Sequence, residues 1–246
     1  NNIMQPRLNV AKSAGELIEE EVRRFFINKS TDALKNMPVR EILTSKAVEH
    51  INTYYKFGDK DYISFAYNED KERLRLEDPN IIYDKSKHSE DSYVWVINFI
   101  HDYDNFCRKL PFWTLSLSVT HKNQTLCAFM LNPFLDILLF SERGSGAVNN
   151  QRKIRSNNDS ESLIVGKSQV ITIPKIFENY KLLSLNSVSI ELIYLSRGLI
   201  DYFVLSFEDY NRNLDCMLIA KEAGIIIKTY DDYMILANER NIKNLK

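Results

Sequence analysis

One stretch limits what this chain can become more than any other. Tyr93-Val94-Trp95-Val96-Ile97-Asn98-Phe99-Ile100 runs directly into His101-Asp102-Tyr103-Asp104-Asn105-Phe106. Apart from Asn98, the first half is β-branched and aromatic, the composition of a buried strand. The second half is short and polar, and offers Asp102 and Asp104 as caps for a following helix. The pattern predicts a central strand that turns tightly into a helix N-terminus. Such a turn is a natural place for an anion or a metal ion.

The bounds set by composition are broad. At 246 residues the chain can bury a sizeable core, as one large domain or two packed halves. Hydrophobic residues at 44% and charged residues at 26% are those of an ordinary globular protein. A formal net charge of −1 gives no global basic field, so no direct nucleic-acid binding is indicated. A local basic patch is something only a structure can reveal. Cys107, Cys127 and Cys216 lack metal-type spacing, and buried thiols are the expectation. No N-terminal stretch has a signal-peptide layout. The apolar run from Leu126 to Phe140 is interrupted by Asn132, Pro133 and Asp136, so no membrane span is expected. A cytoplasmic protein is the expectation.

Along the chain, residues 5–27 predict an amphipathic helix, with Leu8, Ala11, Ala14, Leu17, Ile18, Val22 and Phe26 at helical spacing. Residues 39–55 predict a second, with Val39, Ile42, Leu43, Val48, Ile51 and Tyr55 on one face. Phe57 to Pro79 is dense in charge and tyrosine, the pattern of an exposed loop or irregular hairpin. A short strand is expected over 79–86, and further strands over 111–119, 125–130 and 135–140. Gly144-Ser145-Gly146 lacks the lysine and helix of a phosphate-binding loop. It predicts a structural turn, followed by a hairpin turn at Asn149-Asn150. The polar connection 153–163 divides the chain into residues 1–156, an α+β half with the large sheet, and 157–246, a smaller α/β half. In the latter, strands are expected at 163–173, 181–184 and 199–205, and a helix from Ser187 to Arg197 ending at Gly198.

The central stretch resembles the signature of the inositol monophosphatase family, Trp-x-Ile-Asp-Pro-Ile/Leu-Asp-Gly-Thr-x-Asn-Phe. Trp95, Ile97, Ile100, Asn105 and Phe106 match its framework. Leu8 to Ile18 is similar to the family's opening helix, closest to its bacterial SuhB branch. Asn213-Leu214-Asp215 with Glu222-Ala223-Gly224 resembles a second signature, Trp-Asp-x-Ala…Glu-Ala-Gly-Gly. The resemblance spans most of residues 5–240. It implies an alternating α-β-α-β-α sandwich, an α/β layered fold, and Mg²⁺-assisted hydrolysis of inositol or sugar phosphates.

The chemical positions depart from that pattern. Asn98 and His101 stand where the family has metal-binding aspartates, and Ile100 supplies the backbone position between them. Asp102 replaces the phosphate-binding glycine, and Tyr103 replaces the threonine that helps activate water. Lys85 falls where a metal-binding glutamate belongs, with Asp84 beside it. Asp215 alone matches an anionic ligand, one that also orients the attacking water in the family. Its other expected roles are a helix cap or a partner for Lys221. Glu208 and Asp209 lie near the family's substrate region, but an insertion there makes an acidic surface loop the expectation.

Mg²⁺ requires hard oxygen ligands, and each lost unit charge near 4 Å removes roughly 4 kcal/mol at an effective dielectric near 20. The expectation is therefore a SuhB-like protein that has lost Mg²⁺-dependent activity and needs no cofactor. The resemblance implies a homodimer, with RNA polymerase and Nus factors of ribosomal RNA antitermination as the partner class. The alternative is a slow phosphomonoesterase holding Mn²⁺ or Zn²⁺ between His101, Asn98 and Asp215, with Asp102 or Asp84 as a further ligand.

Overall fold

The apolar stripe of the N-terminal segment builds the first layer. In a computed structural model, which describes residues 5–55, 58, 60–65, 89–157, 161 and 163–245, helix α1 spans Gln5–Asn28. It buries Leu8, Ala11, Ala14, Ile18, Val22 and Phe26. Leu17 is 46% exposed instead of sharing that face, because one residue turns the helix by about 100° off the stripe. Two further helices follow, α2 (Thr31–Asn36) and α3 (Val39–Tyr54). Ser30 caps α2 by accepting the Ala33 N–H at 3.1 Å. Helix α3 buries Val39, Leu43, Thr44, Ala47, Val48 and Ile51.

The described chain divides into two units, Asn1–Phe140 and Ser141–Lys246. In the first, the strands are β1 (Asp61–Phe65), β2 (Tyr93–His101), β3 (Thr114–His121), β4 (Gln124–Asn132) and β5 (Ile137–Glu142), in that spatial order. The last of these leads into the second unit. Strand β2 runs parallel to β1 and antiparallel to β3. Trp95, Ile97 and Phe99 of β2 join Leu115, Leu117 and Val119 of β3 and the buried faces of α1 and α3 in one core. Gly15 permits the contact of α1 with β4, since a Cβ there would lie 1.9 Å from Phe129 Cε1.

Strand β1 corrects the expectation of an exposed segment after Phe57. Asp61, Tyr62 and Ile63 are buried. The Asp61 carboxylate accepts from Arg7 Nε (3.1 Å), Trp95 Nε1 (2.9 Å) and the Gly58 N–H (2.9 Å). Arg7 lies over the Tyr93 ring, its Cζ 3.7 Å from the centroid. A buried charge is tolerated when paired and hydrogen-bonded in this way. The expected 79–86 strand, with Asp84 and Lys85, lies outside the described residues.

The second unit opens with a hairpin, β6 (Ala147–Asn149) and β7 (Arg152–Lys153). Its turn sits at Asn150-Gln151, one residue later than expected, and both have positive φ (+49° and +67°). A second sheet has the order β11-β12-β10-β8-β9: β8 (Ile164–Lys167), β9 (Lys181–Leu182), β10 (Tyr202–Leu205), β11 (Ile225–Thr229) and β12 (Met234–Asn238). Strands β8, β9 and β10 are parallel, while β11 and β12 close the other side antiparallel. The expected strands at 163–173, 181–184 and 199–205 are thus shortened. Helices α5 (Val188–Ser196), α6 (Phe207–Arg212), α7 (Leu214–Glu222) and α8 (Glu239–Lys243) complete the unit. Helix α5 starts at Ser187, whose hydroxyl accepts the Ile190 N–H. It stops before Gly198 at φ +75°, as the glycine predicts. The architecture is a mixed α/β sandwich of two sheets and helices. Among the described residues no helix is long and apolar enough to cross a membrane.

Candidate functional site

Strand β2 delivers the turn singled out in the sequence. Its pairing with β3 is regular to Phe99↔Leu115, then shifts so that His101 faces Thr114. This bulge bends the strand into a short helix, α4 (Tyr103–Cys107). Asp102 occupies the N-cap position with φ 61° and ψ 48°. Glycine is favoured in that left-handed region and Asp tolerates it, which explains the family's glycine there. Contrary to expectation, the Asp102 side chain makes no capping hydrogen bond. Asp104 pairs along the helix with Arg108 at 3.0 Å.

The framework residues have structural work. Asn105 is fully buried and donates from Nδ2 to Phe112 O at 2.8 Å. Phe106 packs edge-on to Trp113, with centroids 5.1 Å apart, and beside Phe26 at 5.6 Å. These contacts hold the loop after α4 against α1.

The ligand positions are engaged differently. The Asn98 amide nitrogen lies 3.0 Å from each ring nitrogen of His101, whose side chain is buried. The backbone oxygen of Ile100 accepts from Arg40 Nη2 at 3.4 Å. The Arg40 guanidinium stands 4.1 Å from the centroid of Tyr103, a cation–π contact. Tyr103 OH donates to Leu34 O at 3.4 Å. Burial, then the neighbouring Cys107, pushes the Tyr103 phenol well above its ordinary range. Burial likewise raises the Cys107 thiol. At neutral pH both are protonated, and Tyr103 is no base for water.

Arg40 is the residue that sequence reasoning missed. It reaches the turn from the first part of α3, the helix expected over residues 39–55. The capping sequence Ser30-Thr31-Asp32 and the helix start at Pro38-Val39 were the available signal.

In the second unit, Asp215 lies in the first turn of α7 and is 8% exposed. Its Oδ1 accepts the N–H of Cys216 at 2.7 Å. Glu208 and Asp209 open helix α6, which buries no residue. Glu208 pairs with Arg212 at 2.6 Å, so the acidic pair is at the surface as expected but on a short helix instead of a loop. Glu222 Oε1 accepts from the N–H groups of Gly144 and Gly146, both at 2.9 Å. That turn is filled by the chain's own carboxylate, the structural role expected of it. Cys107, Cys127 and Cys216 are all buried thiols.

These residues do not fit the Mg²⁺ cluster that the resemblance implies. Mg²⁺ takes hard, mostly anionic oxygens, whereas the turn offers an amide bonded to an imidazole and a carbonyl bonded to a cation. Among the described residues no group of three or more His, Cys, Asp or Glu side chains is placed to hold a metal ion.

Comparison with known proteins follows the same fold. No family model matches the chain. It is 27% identical over 193 residues to a fructose-1,6-bisphosphatase/inositol-1-monophosphatase of Thermotoga maritima, covering 73% of this chain and 75% of that protein. It is 23% identical over 246 residues to the Nus factor SuhB of Buchnera aphidicola from Acyrthosiphon pisum, covering 92% and 87%. Among solved structures, the extragenic suppressor protein SuhB of Bartonella henselae superposes with a TM-score of 0.70 at 17% identity, covering 96% of this chain and 95% of that one.

Proposed function

We propose that this chain, whose relatives and structural neighbours are SuhB and inositol monophosphatase proteins, has lost Mg²⁺-dependent phosphatase activity and acts as a binding or regulatory protein. Its partner class is the transcription machinery, as the Nus-factor relative suggests, and it works as a homodimer. The observation that carries the reading is Arg40. Its guanidinium bonds the Ile100 oxygen, the backbone position that the resemblance gives to a metal ion. A cation there disfavours a second cation, and the Asn98–His101 pair beside it adds no negative charge.

The test is calorimetric titration of chelator-treated protein with Mg²⁺ and then Mn²⁺ in the presence of inositol monophosphate, with released phosphate assayed in parallel. No binding heat and no phosphate release are expected. Mg²⁺-dependent hydrolysis of inositol monophosphate would overturn the reading.

The alternative is a metal-dependent phosphomonoesterase with an atypical site, acting on inositol monophosphate or a similar sugar phosphate. The buried Asp215 carboxylate and the bisphosphatase/monophosphatase relative favour it. On that reading Mn²⁺ supports phosphate release and Asp215→Ala abolishes it.

A further inference from the structure

The chain's near-neutral total conceals a local concentration of positive charge in the second unit. From Arg143 to Asn157 the sequence has four cationic residues, Arg143, Arg152, Lys153 and Arg155, and no carboxylate. The β6–β7 hairpin brings Arg152 and Lys153 to the surface, and Arg155 follows just beyond it; all three are exposed. Two more cations are folded up to the same segment. The Ser156 N–H bonds to Ala223 O at 2.9 Å, which sets the segment against the end of α7, whose last turn carries the exposed Lys221. A Cβ at Gly198 would lie 3.3 Å from Asn157 N and 3.7 Å from Arg155 O, so the turn carrying Arg197 packs on it as well.

Among the described residues none of Arg152, Lys153, Arg155, Arg197 and Lys221 is held in an ion pair. Glu222, next to Lys221 in the chain, has its carboxylate engaged by the Gly144 and Gly146 N–H groups. The carboxylates nearest in sequence, Glu142 on one side and Asp159 and Glu161 on the other, flank the segment, and like charges left side by side within it carry some cost in self-repulsion.

We propose that this surface binds the phosphate backbone of a nucleic-acid strand. The chemistry favours phosphate over an acidic protein segment. Protein interfaces centre on aromatic and apolar anchors, and from Ser141 to Ile176 the chain has no aromatic residue. The segment instead sets the exposed amides Gln151 and Asn157 beside its cations, and amides suit phosphate and sugar oxygens. Without an aromatic platform for base stacking, binding is sequence-tolerant and governed by counterion release. The inference stands whether or not the turn after β2 supports hydrolysis.

The experiment is fluorescence anisotropy of a labelled single-stranded RNA oligonucleotide titrated with the full chain at several salt concentrations. Three exposed cations engaging phosphates give a slope of log affinity against log salt of about −2. The triple variant Arg152→Gln/Lys153→Gln/Arg155→Gln is expected to lose at least tenfold in affinity at low salt and most of that slope. Arg23→Gln/Arg24→Gln, on the exposed side of α1, is expected to bind as the parent does. Circular dichroism and thermal melting of each variant establish that it is folded. Absence of RNA binding by the parent at low salt, or equal binding by the triple variant, would overturn the proposal. So would equally tight, equally salt-dependent binding of polyglutamate, which would assign the patch to acidic protein segments.

Discussion

If Arg40 keeps cations off the turn, removing it from a background with carboxylates restored will raise divalent-ion affinity by a calculable amount. The comparison is Asn98→Asp/His101→Asp with and without Arg40→Ala. An ion on the Ile100 oxygen sits about 2.1 Å from it, and Arg40 Nη2 is 3.4 Å from that oxygen, so ion and guanidinium are no farther than about 5.5 Å apart. At an effective dielectric near 20, a double charge at that separation from a single one is repelled by about 6 kcal/mol. The arginine has a cheaper course, which is to swing away. That sacrifices a cation–π contact with Tyr103, about 0.5–1 kcal/mol, and a charged hydrogen bond, about 1.5–3 kcal/mol. Displacement therefore sets the penalty at about 2–4 kcal/mol, or roughly 30-fold to 1,000-fold in affinity. Calorimetry with Mg²⁺, repeated with Mn²⁺, measures the ratio. Affinities within threefold of each other in the two variants would refute the reasoning, because the guanidinium would then have no hold on the site.

Two perturbations elsewhere follow from the same structure. Gly15→Ala places a methyl carbon 1.9 Å from Phe129 Cε1, so overpacking of about 1–3 kcal/mol outweighs the gain in helix propensity of up to about 1 kcal/mol; a urea midpoint equal to or above the parent's would show that α1 and β4 are not in contact as described. Alkaline pH is the second. Burial, aided at Tyr55 by the Asp61 carboxylate, pushes Tyr55 and Tyr202 up to about 12. Below the ordinary value of 10 both are protonated in the folded and unfolded chains, and between 10 and about 12 only the unfolded chain ionises. Stability therefore falls as pH rises through that window. Tyrosinate absorbance of the folded protein at increasing pH checks this, and uniform ionisation of all 13 tyrosines near pH 10 would contradict it.

What could be seen in the sequence was what local pattern determines. The strand, turn and helix around Asn98–Phe106 announce themselves through a β-favouring run and an abrupt polar stop. The stripe of α1 follows from helical spacing, with Leu17 misplaced because an apolar residue one step off a stripe looks like part of it. What stayed hidden depends on partners far away in the chain. Asp61 looks like a surface residue in a charged neighbourhood, and is buried because Arg7 and Trp95 meet it. Arg40 has nothing local to connect it with Ile100, 60 positions later. The changed identities at Asn98, His101 and Tyr103 were visible, but whether another group had taken over their charge was not.

The two kinds of position in the signature now separate on physical grounds. Trp95 sits in the core and donates its N–H to Asp61, Asn105 ties down Phe112, and Phe106 packs against Phe26 and Trp113. Each is required by the sandwich whether or not anything is hydrolysed, so their likeness to phosphatases follows from the shared fold. Asn98, His101 and the Ile100 oxygen are not required by the core, and their polar atoms meet each other and Arg40. On the proposed reading, neutral and cationic groups at these three positions weaken the turn's hold on a divalent ion, and Asp102 and Asp104 are the carboxylates left to it. Similarity along such a motif therefore carries the architecture to this chain and leaves the chemistry to be decided by charge.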